Sequence, residues 1–267
     1  VDILTYGALT HRGAVKSANE DAVLALSPVF VVADGVSGSV GGQVASRLIT
    51  DRFAELALTA PLTPDQVVAT LEECHLAVRR AQMQDGHEAA STACGAVGLS
   101  VGDQAYWMIF NVGDSRVYRL SGEPWELTQV SVDHSLVQEM VDAGQLTPEQ
   151  ARKHPDRNVV TRAVGAEEPF DPDFWLVPMV TGDRLLLCSD GLLRETPLPR
   201  VEEILRGTPD PIEAVDKCLA LALRLGARDN VSVIVVDVGS LTEDTDLTRA
   251  RVGGIEELTV AISENGS

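Results

Sequence analysis

Aspartate stands at the mouth of four short apolar segments that read as buried strands. Asp34 closes Val29-Phe30-Val31-Val32-Ala33, and Asp190 closes Leu185-Leu186-Leu187-Cys188-Ser189; each is followed by glycine. Asp21 opens Ala22 to Leu26, and Asp229, with Asn230, opens Val231 to Val238. A carboxylate at the end of a buried strand is costly to desolvate unless a cation or several donors meet it. One such residue is an ordinary turn or cap, but four in matched settings imply a shared partner. Oxygen ligands without His or Cys at metal-binding spacing point to a pair of hard divalent cations.

The overall charge agrees with cation binding. Forty Asp and Glu against 21 Lys and Arg leave a formal charge of -19 over 267 residues. That field repels phosphate backbones and anionic membranes, so nucleic acid and lipid surfaces are excluded as main partners. No apolar run approaches the ~18–20 residues of a membrane span, and no charged-then-apolar leader is present. Cys74, Cys94, Cys188 and Cys218 are widely spaced within apolar segments. They read as reduced core thiols of a cytoplasmic protein.

Strand signals cover Ile3 to Thr10, Asp21 to Leu26 and Val29 to Asp34, and a Gly/Ser-rich turn then leads into a helix from Gln43 to Leu58. Thr63-Pro64-Asp65-Gln66 predicts a capping box opening a second helix, with Val67, Leu71, Cys74 and Val78 on one face. Strands resume at Ser91 to Val101 and Gln104 to Val112, joined at Gly102-Asp103, and again at Ser115 to Leu120 and Trp125 to Thr128. Residues 134–170 are polar, with two short helices, the second opened by Thr147-Pro148-Glu149-Gln150. Strands return at Asp173 to Val177 and Asp183 to Asp190; Asp210-Pro211 caps a last helix that stops at Gly226, and Val231 to Val238 is the final strand. Strands at both ends with paired helices between them predict an α+β fold, two antiparallel sheets with helices outside. Residues 1–239 read as one domain and residues 240–267 as an acidic tail.

Three strings carry the chemistry: Asn19-Glu20-Asp21, Val32-Ala33-Asp34-Gly35 and Cys188-Ser189-Asp190-Gly191, with Asp229-Asn230 completing the set. Asn111-Val112-Gly113-Asp114-Ser115-Arg116 lies between them, and His154 to Gly165 follows. In this order and spacing they resemble the metal-dependent protein phosphatases of the PP2C type, in compact bacterial form, from about Leu4 to Val238. The resemblance implies a four-layer α-β-β-α sandwich with two Mn²⁺ or Mg²⁺ ions at one end. By position, Asp34 bridges both ions, the Gly35 carbonyl binds one, and Asp190 and Asp229 hold the other. Glu20 and Asp21 act mostly through ion-bound waters, and Asp114 with Asp190 marks a third, weaker site. The reaction implied is direct attack on phosphorus by a metal-bridging hydroxide. Residues 134–170 correspond to that family's flap.

Two departures stand out. The family's phosphate-gripping Arg, four residues before the Glu of the Glu-Asp pair, is Lys16 here. A lysine neutralises phosphate as a point charge but lacks the bidentate fork; neighbouring Arg12 is a candidate to compensate. The position after Asp34-Gly35, where relatives carry His or Met-Gly-Gly, is Val36-Ser37-Gly38, so no protein acid for the leaving group is evident. Arg116 is expected to pair with a nearby carboxylate. The expectation is a monomeric phosphoprotein phosphatase acting on phosphoserine and phosphothreonine laid down by a Ser/Thr kinase. The competing expectations are a catalytically weak phosphoprotein-binding module of the same fold and a two-metal nuclease, the latter disfavoured by charge.

Overall fold

Ten strands form two five-stranded antiparallel sheets stacked face to face in a computed structural model that describes residues 4–36, 40–86, 88–102, 104–122, 125–166 and 170–240. The first sheet has the order β1 (Leu4–His11), β10 (Val231–Val238), β9 (Arg184–Cys188), β6 (Arg116–Ser121) and β7 (Glu126–Gln129). The second has β2 (Ala22–Leu26), β3 (Val29–Ala33), β4 (Ala93–Val101), β5 (Gln104–Val112) and β8 (Asp173–Pro178). Helices α1 (Val40–Ala57) and α2 (Pro64–Asp85) cover the second sheet. The short α3 (Leu136–Asp142) and α4 (Pro148–Ala151) lie in the polar middle stretch, while α5 (Asp190–Glu195), α6 (Leu198–Gly207) and α7 (Pro211–Arg224) cover the first sheet.

The α-β-β-α layering explains why the central strands are apolar without alternation. In β3, Phe30 and Val32 face the other sheet, where they meet Leu185, Leu187, Ile234 and Val236. Val29, Val31 and Ala33 face the helices, under Ile49, Phe53, Leu71 and Val78. A strand buried on both faces has no solvent side on which to place polar residues. On the far side, Leu186, Cys188, Val233 and Val235 pack beneath Leu192, Val201, Leu205 and Val215. All four cysteines are buried and free.

The helix-start signals correspond to real caps. Thr63 and Thr147 each accept from the backbone N–H three residues on, and the Gln66 and Gln150 side chains reach back to the cap nitrogen. Asp210 accepts from Ile212 N at 2.8 Å, and the last helix ends just before Gly226, which has φ of 117°. Two helices were not anticipated. Asp190, read as the end of a strand, is the first residue of α5, and α6 follows after the break at Pro197. A six-residue helix is too short to display a 3.6-residue period, so no pattern announced it. Trp125 precedes its strand and is partly exposed, unlike the buried Trp107. The Asp103 turn residue, Ser37-Gly38 and residues 241–267 lie outside the described residues.

Candidate metal centre

Strand register brings the acidic motifs to one end of the sandwich. Ala22 pairs with Ala33, which sets Asp21 beside Asp34 at the edge of the second sheet. Val233 pairs with Cys188, so the start of β10, with Asp229, meets the end of β9, with Asp190. Arg116 also pairs with Cys188, and Asp114 therefore stands just beyond the same edge. Five carboxylates from distant parts of the chain thus gather at one end of the sandwich.

Neutral hydrogen bonds hold the framework. Asp34 accepts at its carbonyl from Thr92 N (2.8 Å) and Ser91 Oγ (3.0 Å), and its own N–H donates to Thr92 Oγ1 at 3.1 Å. Asp21 Oδ2 accepts from Ser189 Oγ at 2.8 Å and Ser232 Oγ at 2.6 Å, which ties the two sheets together. The Asn230 side chain donates to the carbonyls of Arg12 and Ala18 and accepts from Glu20 N at 2.8 Å, fastening the Glu20 loop to β10. Glycine is required at two close approaches. A Cβ on Gly35 would lie 2.6 Å from the Gly42 carbonyl carbon, and one on Gly191 would collide with the Asn230 carbonyl oxygen.

The electrostatics are those of a cation site. Burial, followed by repulsion from Asp21, Asp190, Asp114 and Asp229, pushes Asp34 well above the usual carboxylate range. Burial likewise raises Asp21 to about 6 and Asp114 to about 7, the latter reinforced by Asp190. Asp190 and Glu20 are raised as well, each chiefly by burial. Asp229 goes the other way. Burial pushes it up, but the Lys16 hydrogen bond and the Arg194 charge outweigh this and hold it low.

These residues fit paired divalent ions. The donors are hard oxygens, and Asp21 Oδ1 is buried without a hydrogen-bond partner, an expensive state for a carboxylate oxygen unless a cation faces it. Among the described residues, no three acidic side chains yet close on a common point at ligand spacing. Protein cations neutralise one side instead. Lys16 Nζ lies 2.7 Å from Asp229 Oδ1, and the Arg194 guanidinium bonds both Asp229 and Asp190.

Lys16 is therefore at the cleft as expected. Arg12 is exposed and bonds the Lys16 carbonyl at 2.9 Å. Arg116 pairs with Asp133, as anticipated, through three guanidinium contacts of 2.5–3.0 Å. Sequence reasoning missed Arg194, Ser189 and Ser232. Arg194 follows Asp190 by four residues, which would have flagged it had α5 been recognised as a helix.

The family model described as Protein phosphatase 2C matches residues 11–220. The chain is 36% identical over 241 residues to the serine/threonine protein phosphatase PstP of Mycobacterium tuberculosis, covering 88% of this chain but 45% of that protein. It is 33% identical over 251 residues to the serine/threonine phosphatase stp of Listeria innocua, covering 89% of this chain and 97% of that one. The catalytic domain of PstP, crystallised with two manganese ions, superposes with a TM-score of 0.80 at 32% identity, covering 89% of this chain and 99% of that domain. The chain thus spans about half the length of the full mycobacterial relative and nearly all of its catalytic domain.

Proposed function

The chain belongs to the protein phosphatase 2C family, and on that premise we propose that it hydrolyses phosphoserine and phosphothreonine in protein substrates with Mn²⁺ or Mg²⁺. The observation that carries this reading is the gathering of Asp21, Asp34, Asp114, Asp190 and Asp229 at one end of the sandwich, with Asp21 Oδ1 buried and unpartnered. A pair of bound divalent ions supplies an acidified water and an electrophilic clamp on phosphoryl oxygens.

The protein's own groups prepare that site. Asp34, Gly35, Asp190 and Asp229 are the residues that would hold the ion pair, with Glu20 and Asp21 supporting it from the next layer, and Asp114 with Asp190 would serve a third ion. Ser189 and Ser232 orient Asp21 by donating to one of its oxygens, which leaves the other buried without a donor. Lys16 stands at the rim, where its ammonium neutralises the phosphate dianion as it enters. Arg12 braces the Lys16 backbone through its carbonyl. Residues 1–239 form the proposed catalytic domain, with the polar stretch 134–170 beside the cleft selecting among protein substrates of a bacterial Ser/Thr kinase. Among the described residues no helix is long and apolar enough to cross a membrane. A cytoplasmic monomer is the proposed working form.

Release of p-nitrophenol from its phosphate ester, and of phosphate from a phosphothreonine peptide, tests the reading. Both should require Mn²⁺ or Mg²⁺ and stop with chelator. Turnover that persists in excess chelator would defeat it.

A further inference from the structure

The two sides of the carboxylate cleft are neutralised in different ways. On the side of Asp21, the donors are hydroxyls: Ser189 and Ser232 occupy Oδ2, and Oδ1 is bare. On the side of Asp229, the donors are permanent cations. Oδ1 carries the Lys16 ammonium at 2.7 Å and Oδ2 carries Arg194 Nη1. Arg194 Nη2 takes Asp190 Oδ2 as well. One guanidinium therefore bridges two of the carboxylates proposed to hold a single ion.

The bridge follows from local geometry. Arg194 lies one helical turn after Asp190 on α5, so the two side chains share a face. The fork of a guanidinium matches two carboxylate oxygens at once, and the group does not shed its charge at any working pH. An incoming ion cannot wait for it to deprotonate; the side chain has to swing away. It has room to do so, since it keeps about a quarter of its surface (26%) in solvent.

We propose that Arg194 is a resident counter-cation that a divalent ion must displace from Asp229 and Asp190, so that the ion position on that side fills second and more weakly than the one facing Asp21 and Asp34. The inference rests on the metal-dependent reading above and goes beyond it by ranking the two positions. Arg194 has a second consequence for the empty protein. By cancelling charge between two neighbouring carboxylates, it holds the cleft together before any ion arrives.

The test is calorimetric titration of the chelator-stripped chain with MnCl₂ alone, in the absence of substrate, beside melting temperatures with and without the metal. The wild-type protein should resolve the two positions of the ion pair as separate steps, apart from any weaker third step at Asp114, which Asp114→Ala removes. Arg194→Gln should tighten the weaker step about tenfold, equal to ~1.4 kcal/mol, while leaving the stronger step in place. The same substitution should lower the melting temperature of the metal-free protein, because Asp190 loses its bonded cation and Asp229 keeps only Lys16. Arg194→Lys keeps the charge but loses the fork, and should fall between the two; it also serves if the Gln variant does not fold. A weaker step unchanged in either variant, or two steps that shift together, would overturn the proposal. Absence of any manganese binding by the wild-type chain would instead sink the metal-dependent reading beneath it.

Discussion

Lys16 and Asp229, 213 positions apart in sequence, form an ion pair of 2.7 Å at the rim of the carboxylate cleft. The Asp229 hydrogen bond is the largest influence on the ammonium and raises it above its ordinary range, and the same bond helps hold the carboxylate low. A group proposed to meet phosphate thus begins its cycle paired with a proposed metal ligand. A divalent ion held by Asp229 would compete with the ammonium for that carboxylate.

Replacement of Lys16 should therefore act on substrate binding more than on turnover. Lys16→Ala is expected to raise KM for a phosphopeptide about tenfold, a typical loss for one charge-assisted contact. Lys16→Arg should lower KM below the wild-type value, because the fork can take two phosphoryl oxygens. Michaelis curves at saturating Mn²⁺ check both; an unchanged KM in the Ala variant removes Lys16 from the phosphate site.

Asp34 faces four other carboxylates, so its loss should be the most damaging of the set. Asp34→Asn is expected to cost more than the ~10- to 100-fold that loss of an outer-shell partner costs. It should also reduce the manganese stoichiometry measured by calorimetry. An active Asp34→Asn enzyme would be incompatible with a bridging role.

Stability of the metal-free protein should fall as pH rises. Asp21 and Asp114 are raised to about 6 and about 7, and Asp34 and Asp190 are also raised, from an ordinary value of 3.8. In that interval the folded chain binds more protons than the unfolded one, so the contribution is complete below the ordinary value and is lost as pH passes through the folded values. Asp229, held low, opposes this with a contribution that appears above the ordinary value. With Glu20, also raised, five groups outnumber it. Melting temperature in chelator should decline from about pH 5 to about pH 8, and Mn²⁺ should restore it most at the alkaline end. A flat profile in chelator would show that burial and mutual repulsion do not raise these carboxylates in the metal-free protein.

Gly191→Ala tests the close approach of α5 to β10. The added methyl collides with the Asn230 carbonyl oxygen, which is backbone and cannot rotate away. A destabilisation of about 1–3 kcal/mol is expected, the usual range for overpacking. Manganese affinity should fall with it, since Asp190 and Asp229 are pushed apart. Thermal unfolding and metal titration of the same preparation would measure both.

The relation between chain and fold divides along a physical line. Local chemistry was legible in the residues: caps at Thr63, Thr147 and Asp210, two-face burial of Val29 to Ala33, and carboxylates at strand ends all follow from neighbours in sequence. The order and spacing of the acidic motifs carried the family resemblance, and with it the layering. Register was different. It is set by side-chain packing between strands distant in sequence, and only the stacking of the two registered sheets placed Asp21 against Ser189 and Ser232, 168 and 211 residues away. Arg194 stayed hidden for a related reason: a one-turn helix has no period to detect, and its two carboxylate partners meet only once β9 and β10 are paired. Composition and pattern decided which groups were available for chemistry, whereas the paired sheets decided which charges would stand face to face.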